Sequence, residues 1–132
     1  MLFRSNNGTY TIYFQNGNRK SERSYKNGKK DGIWKGWSEN GQLLYKSNYK
    51  DGKKNGISQN WYLNGKLQSE RNYKNGKQDG IERRWYKNGQ LECDGHWKFG
   101  QPDGNHKFWY ENGQFECEER YMNGKLWWEE NW

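Results

Sequence analysis

Residues 25–48 read YKNGKKDGIWKGWSENGQLLYKSN, and residues 49–72 read YKDGKKNGISQNWYLNGKLQSERN. Set one above the other, the two stretches share Tyr, Gly, Trp and Asn-Gly positions without insertion. Residues 73–96 and 97–120 continue the same frame, so the chain is built on a 24-residue period. Residues 1–24 fit it in part, through Gly8, Tyr13, Asn16 and Gly17. Residues 121–132 begin a further unit with Tyr121, Asn123 and Gly124, then place Trp128 where earlier units have Gly32, Gly56, Gly80 and Gly104. Divergent end units are usual in arrays, because a terminal face has no neighbour to cover.

Asn-Gly or Asp-Gly recurs at two equivalent places in each unit from residue 25 to residue 96, as at Asn27-Gly28 with Asn40-Gly41 and at Asn75-Gly76 with Asn88-Gly89. Their separations alternate between 13 and 11 residues. Asn-Gly suits a type I′ hairpin turn, which needs positive φ at both central residues. The intervening stretches fit one strand each, and no 3.6-residue apolar stripe competes. The expectation is an all-β chain: an elongated, single-layer antiparallel meander of successive β-hairpins, with about eleven strands. One repeat domain covers residues 1–132.

Composition agrees with a thin sheet rather than a thick globule. The 132 residues hold 7 Leu, 4 Ile and no Val or Ala, whereas Trp, Tyr and Phe number 9, 10 and 5. So little aliphatic content usually accompanies disorder, but a disordered chain has no use for that many rings. No apolar run approaches the ~20 residues of a transmembrane helix. The opening MLFRSNNGTY has neither the apolar stretch nor the small-residue site of a signal peptide, so none is expected in this chain, and the compartment stays open.

Side chains two apart on a strand share a face. Ile33 with Trp37, Ile57 with Trp61, and Ile81 with Trp85 recur in type, as do Leu43, Tyr45, Tyr49, Leu67, Tyr73, Leu91, Cys93 and Trp97. Together these read as one recurrent, structural face. Its aromatic stack comprises Tyr25, Trp37, Tyr49, Trp61, Tyr73, Trp85, Trp97, Trp109 and Tyr121. The alternate positions vary: Trp34, Gly36 and Ser38 become Ser58, Asn60 and Tyr62, then Glu82, Arg84 and Tyr86, then His106, Phe108 and Tyr110. Variation reads as freedom, so this face is expected to point outward. The candidate binding residues on it are Tyr10, Phe14, Trp34, Tyr62, Arg84, Tyr86, Phe108 and Tyr110, aromatics and an arginine of the kind that anchor interfaces.

Charge is uneven. Residues 1–66 hold 13 Lys and Arg against 4 Asp and Glu, a net of +9, and residues 67–132 hold 10 against 12, a net of −2. Such asymmetry can steer an acidic partner. Most lysines flank the turns (Lys26, Lys29, Lys30, Lys50, Lys53, Lys54) and are read as solvating loops and discouraging edge pairing. Cys93 and Cys117 are 24 apart, on next-but-one strands, too far for a disulfide, and are expected as free thiols in the slot that Ser21 and Ser69 fill elsewhere. Cys93 and His96 fall on opposite faces, so no metal site is expected. Neither histidine stands in a recognisable triad and no phosphate loop is present, so no catalytic residue, cofactor or enzymatic activity is expected.

The pattern Tyr-x-Asn-Gly-x-x-x-Gly, followed by Trp-Tyr-x-Asn-Gly-x-Leu, resembles the MORN repeat in its bacterial variant, over about residues 8–126. The bacterial proteins it is most similar to are labelled YwqK-family antitoxin components. The resemblance implies an elongated hairpin sheet acting as adaptor or scaffold. The expected function is therefore binding of another protein along one face. A carbohydrate or anionic lipid at a membrane surface is the alternative, and nucleic acid a weaker one. Self-association through the sheet edges or the variable face also fits. Departures from the pattern are Phe99 in the place of Asn27 and Asn75, Asn105 in the place of Ile, and the last unit.

Overall fold

Turn chemistry sets the architecture. In the computed structural model, which describes residues 6–131, the strands are β1 (Gly8–Tyr13), β2 (Arg19–Lys26), β3 (Lys29–Lys30), β4 (Gly32–Trp37), β5 (Leu43–Lys50), β6 (Lys53–Trp61), β7 (Leu67–Lys74), β8 (Lys77–Trp85), β9 (Leu91–Lys98), β10 (Gln101–Pro102), β11 (Gly104–Trp109), β12 (Phe115–Met122) and β13 (Lys125–Asn131). Eleven of them lie side by side in chain order as one antiparallel sheet, with the two-residue β3 and β10 paired to β2 and β9. No helix occurs among the described residues, hence none long and apolar enough to cross a membrane.

The two turn families differ. After β2, β5, β7, β9 and β12 both central residues have positive φ, as at Asn27 (51°) with Gly28 (76°). These are the expected type I′ turns. In the other family only the glycine is positive, at Gly17, Gly41, Gly65, Gly89 and Gly113. There Gly65 N–H donates to Tyr62 C=O (3.0 Å) and Tyr62 N–H to Lys66 C=O (2.9 Å). That is a three-residue loop, a type I turn closed by a left-handed glycine. The expectation that every Asn-Gly makes a I′ turn is corrected. In this second family the asparagine is used for its side chain: Asn64 Oδ1 accepts from Lys66 N–H (2.9 Å), and its Nδ2 donates to Lys87 C=O of the next unit (2.9 Å). Asn88 repeats both bonds one unit on.

Each three-residue turn is followed by a β-bulge. Gly36 pairs with Tyr45, but Trp37 pairs with Leu43, leaving Leu44 extra. The same step recurs at Trp61 with Leu67, Trp85 with Leu91, and Trp109 with Phe115. An extra residue reverses the inward–outward phase beyond it. The recurrent positions therefore do not share a face. Ile33, Ile57 and Ile81 are 44%, 48% and 45% exposed. They lie on an outer face with Trp37, Trp61, Trp85 and Trp109. Tyr25, Tyr45, Tyr49, Tyr73, Cys93, Trp97 and Tyr121 lie on the opposite, packed face, together with the positions that vary.

The packed face varies because neighbouring residues compensate each other. Trp34 is buried between Tyr25 and Tyr49, with ring centroids 5.4 and 5.5 Å away. His106 is buried between Trp97 and Tyr121, at 6.0 and 5.1 Å. The rings of Tyr45 and His106 lie over Gly36 and Gly95, so closely that a Cβ on either glycine would overlap them. Where the central position carries an indole or imidazole, the ring N–H caps a backbone carbonyl, Trp34 to Ser24 (2.9 Å) and His106 to His96 (2.7 Å). Those are the two units whose first strand is broken into β3/β4 and β10/β11. Ser58 and Glu82 instead sit in the unbroken β6 and β8.

Two stability consequences follow. Gly36→Ala is expected to lose about 1–3 kcal/mol by overpacking against Tyr45, read as a fall in the urea midpoint. Phe99 holds φ of 52° in the fourth type I′ turn while 67% exposed. Asparagine tolerates this backbone far better than phenylalanine, so Phe99→Asn is expected to raise stability by about 1 kcal/mol in the same measurement.

Candidate packed-face binding site

The middle of the packed face is polar where its two ends are aromatic. At the centre of successive first strands stand Trp34, Ser58, Glu82 and His106, all 4–8% exposed. Trp34 and His106 continue ladders of rings. Between them, Arg71 Nε donates to Glu82 Oε2 at 2.6 Å, and Trp97 Nε1 donates to Glu82 Oε1 at 3.3 Å. Arg71 also reaches the Ser69 hydroxyl at 3.4 Å, which accepts in turn from Asn60 Nδ2 at 3.2 Å.

Two open depressions flank this cluster. One, of about 450 Å³, is lined among others by Arg71, Glu82, Arg84, Trp97, Phe108 and Tyr121. The second, of about 400 Å³, runs from Arg71 and Arg84 to Asn60, Tyr62 and Glu92. Arg71 and Arg84 form the ridge between them. Arg84 Nε, Gln78 Oε1 and Ser58 Oγ are buried without a hydrogen-bond partner. The face can therefore offer cationic donors and a serine hydroxyl beside aromatic walls.

Of the candidate binding residues, Tyr10, Trp34, Tyr62, Arg84, Tyr86 and Phe108 lie on this face; Phe14 follows β1, with Lys20 Nζ 5.7 Å from its ring. Trp34 is only 8% exposed and cannot serve as an accessible anchor. The Tyr62 and Tyr86 hydroxyls donate to the carbonyls of Trp85 and Trp109 in the following unit, both at 2.7 Å. These two phenols are inter-unit ties, and only their rings remain for contact. Tyr110 is 44% exposed. The proposed structural stack divides: Tyr25, Tyr49, Tyr73, Trp97 and Tyr121 share the packed face, whereas Trp37, Trp61, Trp85 and Trp109 form the outer strip. There Arg19 lies 4.4 Å over Trp37, and Trp109 meets Phe115 edge-on at 6.0 Å.

Lys30 and Lys54 do not belong with the loop-solvating lysines. Each pairs across a type I′ turn with a packed-face tyrosine, Tyr25 and Tyr49. Their ammonium groups lie over rings, Lys30 at 4.4 Å from Trp34 and Lys54 at 5.0 Å from Tyr73. Burial, then Arg71 and Lys30, pull the Lys54 ammonium below its ordinary pKa. The spacing Tyr-Lys-Asn-Gly-Lys-Lys carried this signal, because residues five apart across a two-residue turn face the same way.

Titration of the remaining groups follows from their neighbours. Tyr121 donates to Glu119 Oε2 at 2.6 Å, and that bond, with burial second, pushes its phenol up to about 12. Burial pushes the Cys93 thiol up to about 11 against the opposing pull of Arg84. Cys93 and Cys117 are both free, and Cys93 fills the slot of Ser21 and Ser69, all 1–3% exposed. Among the described residues, no group of three or more His, Cys, Asp or Glu could hold a metal ion.

Fold and face together define a single-layer hairpin-repeat protein. The chain belongs to the family of MORN repeat variants, whose pattern matches residues 6–27, 30–51, 54–75, 78–99 and 102–123. These five matches keep the 24-residue period, and each ends on the first central residue of a type I′ turn. No curated protein matches the chain. Repeats of this family generally serve interaction with proteins or lipids.

Thiol chemistry gives a direct check on the packed face. Only a thiolate attacks an aromatic disulfide reagent. Burial, then Glu116, Glu119 and Glu129, hold the Cys117 thiol above its ordinary range. At pH 8 the folded protein is therefore expected to release one equivalent from half-buried Cys117 more slowly than a free thiol but in a faster phase than Cys93, which reacts only on unfolding. Cys117→Ser should abolish the fast phase and Cys93→Ser should leave it.

Proposed function

We propose that this chain is a non-catalytic scaffold that binds another protein along the packed face of its sheet, in an adaptor role or one like the antitoxin components it resembles. The observation that supports this most is the Arg71–Arg84 ridge, with a depression on each side and rings of Tyr62, Trp97, Phe108 and Tyr121 alongside. Aromatic and arginine side chains in partly desolvated pockets carry most of the energy of protein interfaces. Two of the groups that could act chemically are engaged otherwise. His106 Nε2–H is bonded to a backbone carbonyl, and Cys93 is buried with its thiol raised.

A second reading, a carbohydrate or an anionic lipid headgroup, draws on the same larger depression, where Trp97 and Tyr121 stand beside Arg71 and Glu82. Nucleic acid draws only on the basic half, and such binding would fade with moderate salt. The open edges β1 and β13 leave self-association within the proposal, Glu129 and Glu130 on β13 discouraging strand addition there.

Retention of the native partner on immobilised protein tests the reading. Arg84→Ala combined with Phe108→Ala is expected to weaken retention at least tenfold, while the melting temperature stays within a few degrees. Unchanged retention, or a saturable shift of tryptophan fluorescence with glycans or anionic vesicles and none with protein, would overturn it.

A further inference from the structure

One position of the repeat shows how the packed face receives a carboxylate. Trp34, Ser58, Glu82 and His106 are equivalent and equally buried. At Glu82 the carboxylate is held on both oxygens, by Arg71 Nε at 2.6 Å and Trp97 Nε1 at 3.3 Å. One unit earlier the side chain is Ser58, 4% exposed, whose Oγ has no hydrogen-bond partner.

The surroundings of Ser58 are cationic. Arg71 is its cross-strand neighbour as well as that of Glu82, so it stands between the two positions. Lys54, on the same strand, lies 5.0 Å from the Tyr73 ring, and Lys30 lies 5.0 Å from the Tyr49 ring. Neither ammonium has a carboxylate partner among the described residues. Burial first, then Arg71 and Lys30, hold the Lys54 ammonium below its ordinary range. The arrangement is compensated at Glu82. At Ser58 it lacks an acid.

We propose that the packed face around Ser58 docks an acidic segment of a partner protein, one carboxylate of which takes, beside Arg71 and Lys54, the place that Glu82 fills one unit on. This rests on the scaffold reading and names the partner's chemistry. Lys30 and Lys54 are two strands apart, about 9.6 Å at ~4.8 Å per strand. A segment in polyproline II conformation repeats every three residues, about 9.3 Å. A partner crossing the strands in that form meets both lysines with acids three residues apart. The net charge of +9 over residues 1–66 draws such a segment to this half of the sheet.

The test uses a labelled peptide of four Glu-Pro-Pro triplets and its Gln-Pro-Pro counterpart, read by fluorescence anisotropy at 0.15 M salt with the full chain. The acidic peptide is expected to bind at micromolar concentration and the Gln peptide at least tenfold more weakly. Ser58→Glu supplies the chain's own carboxylate at a place where Glu82 shows the sheet accepts one. It should weaken binding tenfold or more with little change in melting temperature. Lys30→Gln with Lys54→Gln should do the same, should the first variant fold poorly. Lys26→Gln with Lys29→Gln removes two exposed turn charges, one more than Ser58→Glu changes, and should weaken binding less than threefold.

Equal losses in the Ser58 and turn-lysine variants would overturn the site in favour of diffuse attraction, as would equal binding of the Gln peptide. Anionic vesicles that sediment the wild type but not Ser58→Glu would overturn it in favour of a membrane surface. Absence of any acidic-peptide binding would overturn it too, yet leave the scaffold reading standing if a partner sensitive to Arg84→Ala is still retained.

Discussion

A sheet one layer thick has no opposing layer to bury its side chains, so each side chain must be covered by its neighbours on the same face. The rest of this structure depends on that constraint. It explains why large and small residues alternate across strands, with the Tyr45 ring over Gly36 and the His106 ring over Gly95. It explains why Trp34 is 8% exposed without a second layer above it, since Tyr25 and Tyr49 close on it from both sides and the Lys30 and Arg23 side chains lie over its ring. Burial here is lateral. A single unit cannot achieve it alone, and stability is shared between units, as is general for arrays.

Lateral covering also shapes the binding face. Rings that are spent covering one another are poor anchors, which removes Trp34 from contact and reduces Tyr62 and Tyr86 to their exposed ring edges. Polar residues appear where the ring ladder is interrupted, at Ser58 and Glu82, and the depressions open on either side of Arg71 and Arg84. The same physical need for cover thus concentrates Arg71, Arg84 and Lys54 in the middle of the sheet. Loose contacts between units are avoided by ties that recur every 24 residues, such as Asn64 to Lys87 and Tyr62 to Trp85. These ties hold the spacing of the face on which any partner is read.

The period, the hairpins, the strand order and the free cysteines were legible in the residues, because each depends on local chemistry. Asn-Gly pairs spaced 13 and 11 residues apart announce the turns, although the same pair at Asn55-Gly56 lies inside β6, and a 24-residue step from one cysteine to the next fixes the number of intervening strands. The faces were not legible. Alternation along a strand assigns them only while the phase is unbroken, and the bulges at Leu44, Gln68 and Glu92 break it between one strand and the next. Ile33 and Trp37 consequently stand opposite Tyr45 and Tyr49 rather than beside them. Recurrence of residue type was a poor guide to burial, because both faces repeat.

What the residues alone settled is the kind of object: an antiparallel hairpin meander, thin, rich in rings and poor in aliphatics. That much follows from glycine and asparagine geometry, which acts over four residues and needs no distant partner. Which side of the sheet is packed, and therefore where Glu82 pairs with Arg71 and Ser58 stands opposite the same arginine without an acid of its own, was decided only by the assembled strands. Pairing register and bulge phase are properties of neighbouring segments in contact, and a one-residue step in either moves a side chain from one face to the other.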